Sequence, residues 1–246
     1  MKLVLLPGLD GTGLLFAPLL EQLHSFIEPK IIAYPNRQRL SYGDHVAFVN
    51  ERLPKEEDFF LLAESFSGRI AFEVAAKAPD NLRGVIFVST FLQTSKTVPA
   101  WMANLLPFGP ITRMGGPNWV MRKTLFGRDA PDRLLTEFWV SLRRVSPDVL
   151  RHRLRIVLGS HPCDGTLSQP TLHLIANQDR LVAHEVSIDL AGRCLQSNVH
   201  RIEGPHALLQ SNPAACAKYI DHFCAQGLSA ARSADFLYDD TSGLPA

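Results

Sequence analysis

The chain has 246 residues, 46% of them hydrophobic and 20% charged, with a formal net charge of +1. That length suits one sizeable α/β domain carrying an insertion. The charge balance excludes nucleic-acid binding driven by whole-molecule electrostatics, and no apolar run approaches the about 20 residues of a membrane-spanning helix. The apolar stretch after Met1 is shorter than the roughly 7–15 residues of a secretory signal core, so the expected location is cytoplasmic. Cys163, Cys194, Cys216 and Cys224 show no metal-ligand spacing and read as buried free thiols. Neither a metal nor a cofactor is expected, and oligomeric state has no signature.

The first predicted strand covers 2–6 and runs into Pro7-Gly8-Leu9-Asp10-Gly11-Thr12-Gly13, then an amphipathic helix carrying Leu14, Leu15, Leu19, Leu20 and Leu23. Glycines in such a turn let backbone N–H groups face an anion. Beside a nucleophile this loop would form an oxyanion hole, with the Leu9 N–H as one donor. The plainer reading is a strand–turn–helix loop whose glycines serve geometry only. Dinucleotide binding fails on spacing, because glycines at 8, 11 and 13 do not match G-x-G-x-x-G.

A second strand is expected at 29–34 and a third at 58–63. The third leads into Ala63-Glu64-Ser65-Phe66-Ser67-Gly68, a small-x-Ser-x-small variant of the nucleophile elbow. Residues two positions either side of the serine must be small to pass each other across a strained turn. Ser67 is excluded as nucleophile because Arg69 would occupy its +2 position. Ser65 thus reads as the nucleophile and the Phe66 N–H as the second oxyanion donor. A helix N-cap role for Ser65 stands beside this.

A fourth strand at 83–89 has no carboxylate following it closely. The stretch 93–165 then lacks strand character and reads as a helical cap, with helix starts at Pro131 and Ser146-Pro147. It holds all three tryptophans. Trp101, Met102, Leu105, Trp119, Met121 and Trp139 are the candidates for an apolar substrate pocket, though such residues equally form a cap's own core. The segment carries eleven Lys and Arg against five Asp and Glu. That surplus suits a phosphate-bearing acyl carrier or weak contact with an anionic lipid surface, and solvated helix faces explain it more simply.

A fifth strand at 171–176 is followed by Asp179, and a sixth at 198–203 by Gly204-Pro205-His206. Ligand crevices of open parallel sheets lie at the carboxyl ends of strands, which suits Asp179 and His206 as acid and base. Asp164 precedes its strand and is the weaker acid. His184-Glu185 lacks the second histidine of H-E-x-x-H, since position 188 is Ile188. The core is expected in 1–92 and 166–226, with a poorly ordered tail over 227–246.

The order Ser65, Asp179, His206, with the glycine loop and elbow upstream, resembles the α/β-hydrolase fold superfamily. Leu-Pro-Gly-Leu-Asp-Gly-Thr-Gly followed by Glu64-Ser65-Phe66 is similar to the branch of phytyl ester synthase-like acyltransferases and bacterial esterases. The departures are Ala63 for the usual glycine, Ser67 at +2, and Pro7-Gly8 where many members have His-Gly. The resemblance implies a mostly parallel six-stranded sheet with helices on both faces. It also implies a serine hydrolase acting on an ester or thioester with an apolar acyl group. Acyl transfer to an alcohol and ligand binding without turnover are the alternatives, with lyase chemistry behind them.

Overall fold

The computed structural model describes residues 1–93, 99–159 and 163–239, with side chains to 227. Six strands form one sheet: β1 (Lys2–Leu6), β2 (Glu28–Ile31), β3 (Phe59–Glu64), β4 (Leu82–Val88), β5 (Leu167–Ala176) and β6 (Cys194–Ile202). Their order is β2-β1-β3-β4-β5-β6, and all five pairings are parallel. The helices are α1 (Ala17–Leu20), α2 (Tyr42–Asn50), α3 (Gly68–Ala75), α4 (Phe108–Met114), α5 (Asn118–Met121), α6 (Asp132–Arg143), α7 (Pro147–Leu158), α8 (His184–Gly192), α9 (Leu208–Ser211) and α10 (Pro213–Asp239).

The central strands β1, β3 and β4 are buried on both faces, as the interior of a parallel sheet requires. Strand alternation divides its side chains between two cores. Val4, Leu6, Phe59, Leu61 and Ala63 pack with Val46, Ile70 and Leu190 on the α2, α3 and α8 side. Leu3, Leu5, Phe60 and Leu62 pack with Phe16, Leu19 and Ile220 on the α1 and α10 side. The chain leaves β1 toward β2, then returns to place β3 on the other side of β1. That reversal opens a crevice between the carboxyl ends of β1 and β3.

The second strand is shorter than expected and lies at the sheet edge, every residue exposed. Pro29 is tolerated there because an edge strand leaves one row of donors unused. The segment between β4 and β5 is helical and builds two small cores, one on Phe108, Trp139 and Leu142, the other on Phe126, Leu134 and Leu135 packed against Ala207 from the loop after β6. Residues 94–98 and 160–162 of the expected insertion lie outside the described residues. The last helix continues to Asp239, past the point where the sequence suggests a tail, and 240–246 lie outside the described residues. Among the described residues no helix is long and apolar enough to cross a membrane. All four cysteines are free and buried.

Candidate active site

Ser65 stands at the tip of β3 with φ of +47°, in the left-handed region that non-glycine residues seldom occupy. This backbone costs about 1–3 kcal/mol and persists only where surroundings over-determine it. Here β3 is wholly buried before the turn, and a single 3-10 turn, Ser65–Ser67, starts α3 after it. Thr90, just past β4, donates its hydroxyl to the Ser65 carbonyl. Gly68 must be small for the same reason: a Cβ there would lie 1.8 Å from Thr90 Oγ1. Ser67 donates to the Pro7 carbonyl and bonds Tyr34 Oη at 2.6 Å, so the elbow is tied to the glycine loop.

The three side chains named from the sequence are brought into contact. Ser65 Oγ lies 2.8 Å from His206 Nε2, across 141 residues of chain. His206 Nδ1 lies 2.7 Å from Asp179 Oδ2. The other carboxylate oxygen of Asp179 accepts the N–H groups of Leu181 and Val182 at 2.8 and 2.9 Å. Both side chains are nearly excluded from solvent, at 7% and 2% exposure. Their loops are joined, since Gln178 N–H donates to the Gly204 carbonyl and Gly204 N–H to Asn177 Oδ1, at 3.0 and 3.2 Å. Gly204 has φ of +151°, and a Cβ there would meet Leu208 at 2.9 Å, so the turn presenting His206 needs glycine.

The competing candidates are accounted for elsewhere. Asp164 is exposed ahead of β5. His173 is buried against Phe87 and bonds Thr171, His45 bonds the Ser41 carbonyl, and His184 bonds the Ala176 carbonyl. Burial lowers the pKa of His45 and of His173 to about 4 in each case, which keeps both neutral. Among the described residues no cluster of His, Cys, Asp and Glu could hold a metal ion.

Leu9 and Phe66 both line a cavity of about 650 Å³ that Ser65 and His206 also line. Among the described residues no acceptor is hydrogen-bonded to the Leu9 N–H. Glu64, immediately before the serine, is a residue that sequence reasoning missed. Its carboxyl is buried and accepts from Gln210 Nε2 at 2.9 Å. Burial raises its pKa to about 7, with the Gln210 bond opposing. Asp10 is likewise raised by burial, while the Thr12 hydroxyl and N–H hold it the other way.

The rest of the cavity wall is mostly apolar, built from Phe91, Phe108, Leu125, Phe138, Leu154 and their neighbours, with Gln93 and Thr124 among them. Met121 and Trp139 of the six pocket candidates belong to it. The other four do not. Trp101 is 60% exposed, Met102 40%, Leu105 64% and Trp119 67%. Trp101, Met102 and Leu105 sit on a short 3-10 segment, Ala100–Leu105, and Trp119 on the four-residue α5. Elements this short carry too little periodicity to reveal their inward face. The wall that replaces these residues is α7, through Leu150, Leu154, Val157 and Leu158.

A family model described as Hydrolase_4: Serine aminopeptidase, S33, matches residues 40–209. The chain belongs to that family. It is an enzyme of the serine-hydrolase kind on the α/β-hydrolase fold. The biotin biosynthesis bifunctional protein BioHC of Cellvibrio japonicus is 26% identical over 240 residues. That match takes in 90% of this chain and 47% of BioHC, so the chain spans about half the length of this curated relative. The structure of MenH from S. aureus superposes with TM-score 0.75 at 15% identity, over 93% of this chain and 94% of MenH. The RedJ thioesterase of Streptomyces coelicolor gives TM-score 0.65 at 19% identity, over 91% of this chain and 90% of that one. Likenesses at these identities establish the fold. Family membership carries the serine-hydrolase assignment.

Proposed function

We propose that the chain cleaves a carboxylic ester or thioester with an apolar acyl group, through an acyl-enzyme on Ser65. The observation that carries this reading is the unbroken chain Ser65 Oγ–His206–Asp179 opening into an apolar cavity. His206 Nε2 takes the hydroxyl proton as Ser65 Oγ attacks the carbonyl carbon. Asp179 keeps the other ring proton on Nδ1 and balances the imidazolium. The N–H groups of Leu9 and Phe66 receive the oxyanion, each worth about 3 kcal/mol in the transition state. The tetrahedral adduct collapses, His206 protonates the departing alkoxide or thiolate, and the acyl group remains on Ser65. Water attacks next, giving its proton to His206, and the acid leaves.

The cavity favours acyl esters over peptides with a free amino terminus. Among the described residues the carboxyl groups lining it are Asp10 and Glu64, engaged by Thr12 and Gln210, so neither is placed to pair with an ammonium group. The helices between β4 and β5 act as the cap, supplying the acyl wall through α7. Their outer face, with Trp101, Leu105 and Trp119 exposed within the basic segment, suits weak contact with an anionic lipid surface. Unchanged sedimentation of Trp101→Ser with anionic vesicles would remove that part. Four buried thiols suit a reducing, cytoplasmic setting.

The test is Ser65→Ala assayed on p-nitrophenyl esters. A fall in kcat of about 10³–10⁶-fold with the fold retained is expected, together with loss of fluorophosphonate labelling. Wild-type turnover in that variant would end the proposal. Product analysis with added long-chain alcohol separates hydrolysis from transfer, because transfer yields a new ester in place of free acid.

A further inference from the structure

Arg153 of α7 belongs to a helix that otherwise meets the acyl cavity, yet its side chain runs into the main core and is 1% exposed. Its Nη1 donates to the carbonyls of Leu9 and Asp10 at 3.0 and 2.6 Å, and its Nη2 to that of Pro35 at 3.0 Å. The seat is close-fitting: a Cβ on Gly11 would lie 2.3 Å from Nη1. Tyr34 presents its ring to the guanidinium carbon at 5.6 Å. Burial lowers the pKa of the group to about 10, with the nearby Asp10 carboxyl opposing, so it stays cationic at neutral pH.

These bonds fall on the segment whose orientation matters most. Gly11 N–H donates to the Gly8 carbonyl at 3.0 Å, and Tyr34 N–H to the Gly11 carbonyl at 2.8 Å. With the two bonds from Arg153, four successive carbonyls from Gly8 to Gly11 are all held. In a planar trans peptide the N–H points opposite to the C=O. Holding the Gly8 carbonyl inside the turn therefore turns the Leu9 N–H outward, on the loop that lines the cavity. Arg153 secures the next two peptide planes, without which that one could rotate. A buried cation is expensive to desolvate, and a surface helix gains nothing from hiding one.

We propose that Arg153 is a positioning residue for the reaction at Ser65, holding the Leu9–Gly11 backbone so that the Leu9 N–H meets the substrate oxyanion, and coupling that aim to the α7 wall of the acyl cavity. The proposal rests on Ser65 as nucleophile and Leu9 as oxyanion donor. It gives α7 two tasks on two faces. Leu150, Leu154, Val157 and Leu158 meet the acyl chain, and Arg153 holds the loop that meets its carbonyl.

Arg153→Met and Arg153→Lys test it, with kcat and KM measured on p-nitrophenyl esters with and without low, sub-denaturing guanidinium. Loss of one oxyanion donor is worth about 10²–10³-fold, so Arg153→Met is expected to lose up to that much in kcat with KM little changed. Guanidinium should restore part of the lost kcat in Arg153→Met, and tetramethylammonium should not. Arg153→Lys, which keeps the charge in a different shape, should fall between. Unchanged kcat in a folded variant overturns the proposal. So does a loss of kcat that guanidinium leaves untouched, or failure of both variants to fold, since either makes Arg153 a core residue only. If wild-type Ser65 resists fluorophosphonate, or Ser65→Ala keeps activity, the nucleophile assignment has failed instead.

Discussion

Replacing Asp179 by asparagine isolates the contribution of the carboxylate from that of its shape. One oxygen of Asp179 accepts two backbone N–H groups, from Leu181 and Val182. An asparagine must place its own carbonyl oxygen there, because its amide nitrogen would oppose both donors. The amide NH₂ is then left facing His206 Nδ1, 2.7 Å away in the native pair. A donor in that place forces Nδ1 to accept, so the ring proton moves to Nε2 and points at Ser65 Oγ. The imidazole can no longer take the serine proton. An inverted tautomer of this kind is worth about 10⁴-fold in kcat, or roughly 5.5 kcal/mol at 1.36 kcal/mol per decade. Steady-state hydrolysis of a p-nitrophenyl ester, with circular dichroism and a melting curve to verify the fold, is the assay. A folded Asp179→Asn variant within tenfold of wild-type kcat would refute both the tautomer argument and the assignment of the acid.

The buried carboxyl of Glu64 makes a signed prediction about pH. Its folded pKa, about 7, lies above the ordinary 4.5, so its contribution is complete below pH 4.5 and is lost as pH rises through 7. The loss amounts to about 3 kcal/mol at most, at 1.36 kcal/mol per unit. Glu64→Gln should therefore raise stability at pH 8 relative to wild type and leave it little changed at pH 4.5, read from urea midpoints. His45 and His173 act in the opposite sense. Their pKa values fall from 6.5 to about 4, so their contribution is complete above pH 6.5 and is lost as pH drops through 4. His45→Gln or His173→Gln should therefore lessen the loss of stability between pH 6.5 and 4.5 relative to wild type, and an unchanged slope in both would refute these burial arguments. In the cavity, Leu154→Trp should shift chain-length preference toward short esters, lowering kcat/KM for a long acyl chain by about 10-fold or more relative to butyrate. An unchanged preference would remove α7 from the acyl wall.

The fold and the Ser65–His206–Asp179 contacts were legible because each rests on local grammar. Apolar runs such as Phe59–Leu62 identify buried parallel strands, and the residues just past their carboxyl ends lie at the crevice whatever the intervening chain does. The second strand ends earlier than the sequence suggests because Ile32 to Tyr34 continue an apolar pattern after the last edge pair, at Ile31. The cavity wall was only partly legible for a different reason. Composition places tryptophan and methionine in the helical segment, but which face points inward depends on how α4, α6 and α7 pack together. Leu150, Leu154, Val157 and Leu158 do carry helical spacing, and that stripe was the available signal. Arg153 lies between those positions and reads as one more surface charge. Glu64 reads as the polar end of a strand. Its partner Gln210 is 146 residues away, and no local pattern announces such a pair.

The location of the proposed nucleophile follows from the same sheet order. A serine with φ of +47° needs neighbours on both sides that forbid relaxation. The third strand is central, hydrogen-bonded to β1 and β4. The ends of those two neighbours supply the braces. The loop after β1 reaches the elbow through Pro7 and Ser67, and Thr90 after β4 reaches the Ser65 carbonyl. An edge strand would have one such neighbour and leave the turn free to relax. The next two strands outward deliver Asp179 and His206 from one direction, while the β1 loop presents Leu9 from the other. The proposed proton relay and the proposed Leu9 donor therefore approach the serine from opposite sides, as attack and charge stabilisation at a planar carbonyl require.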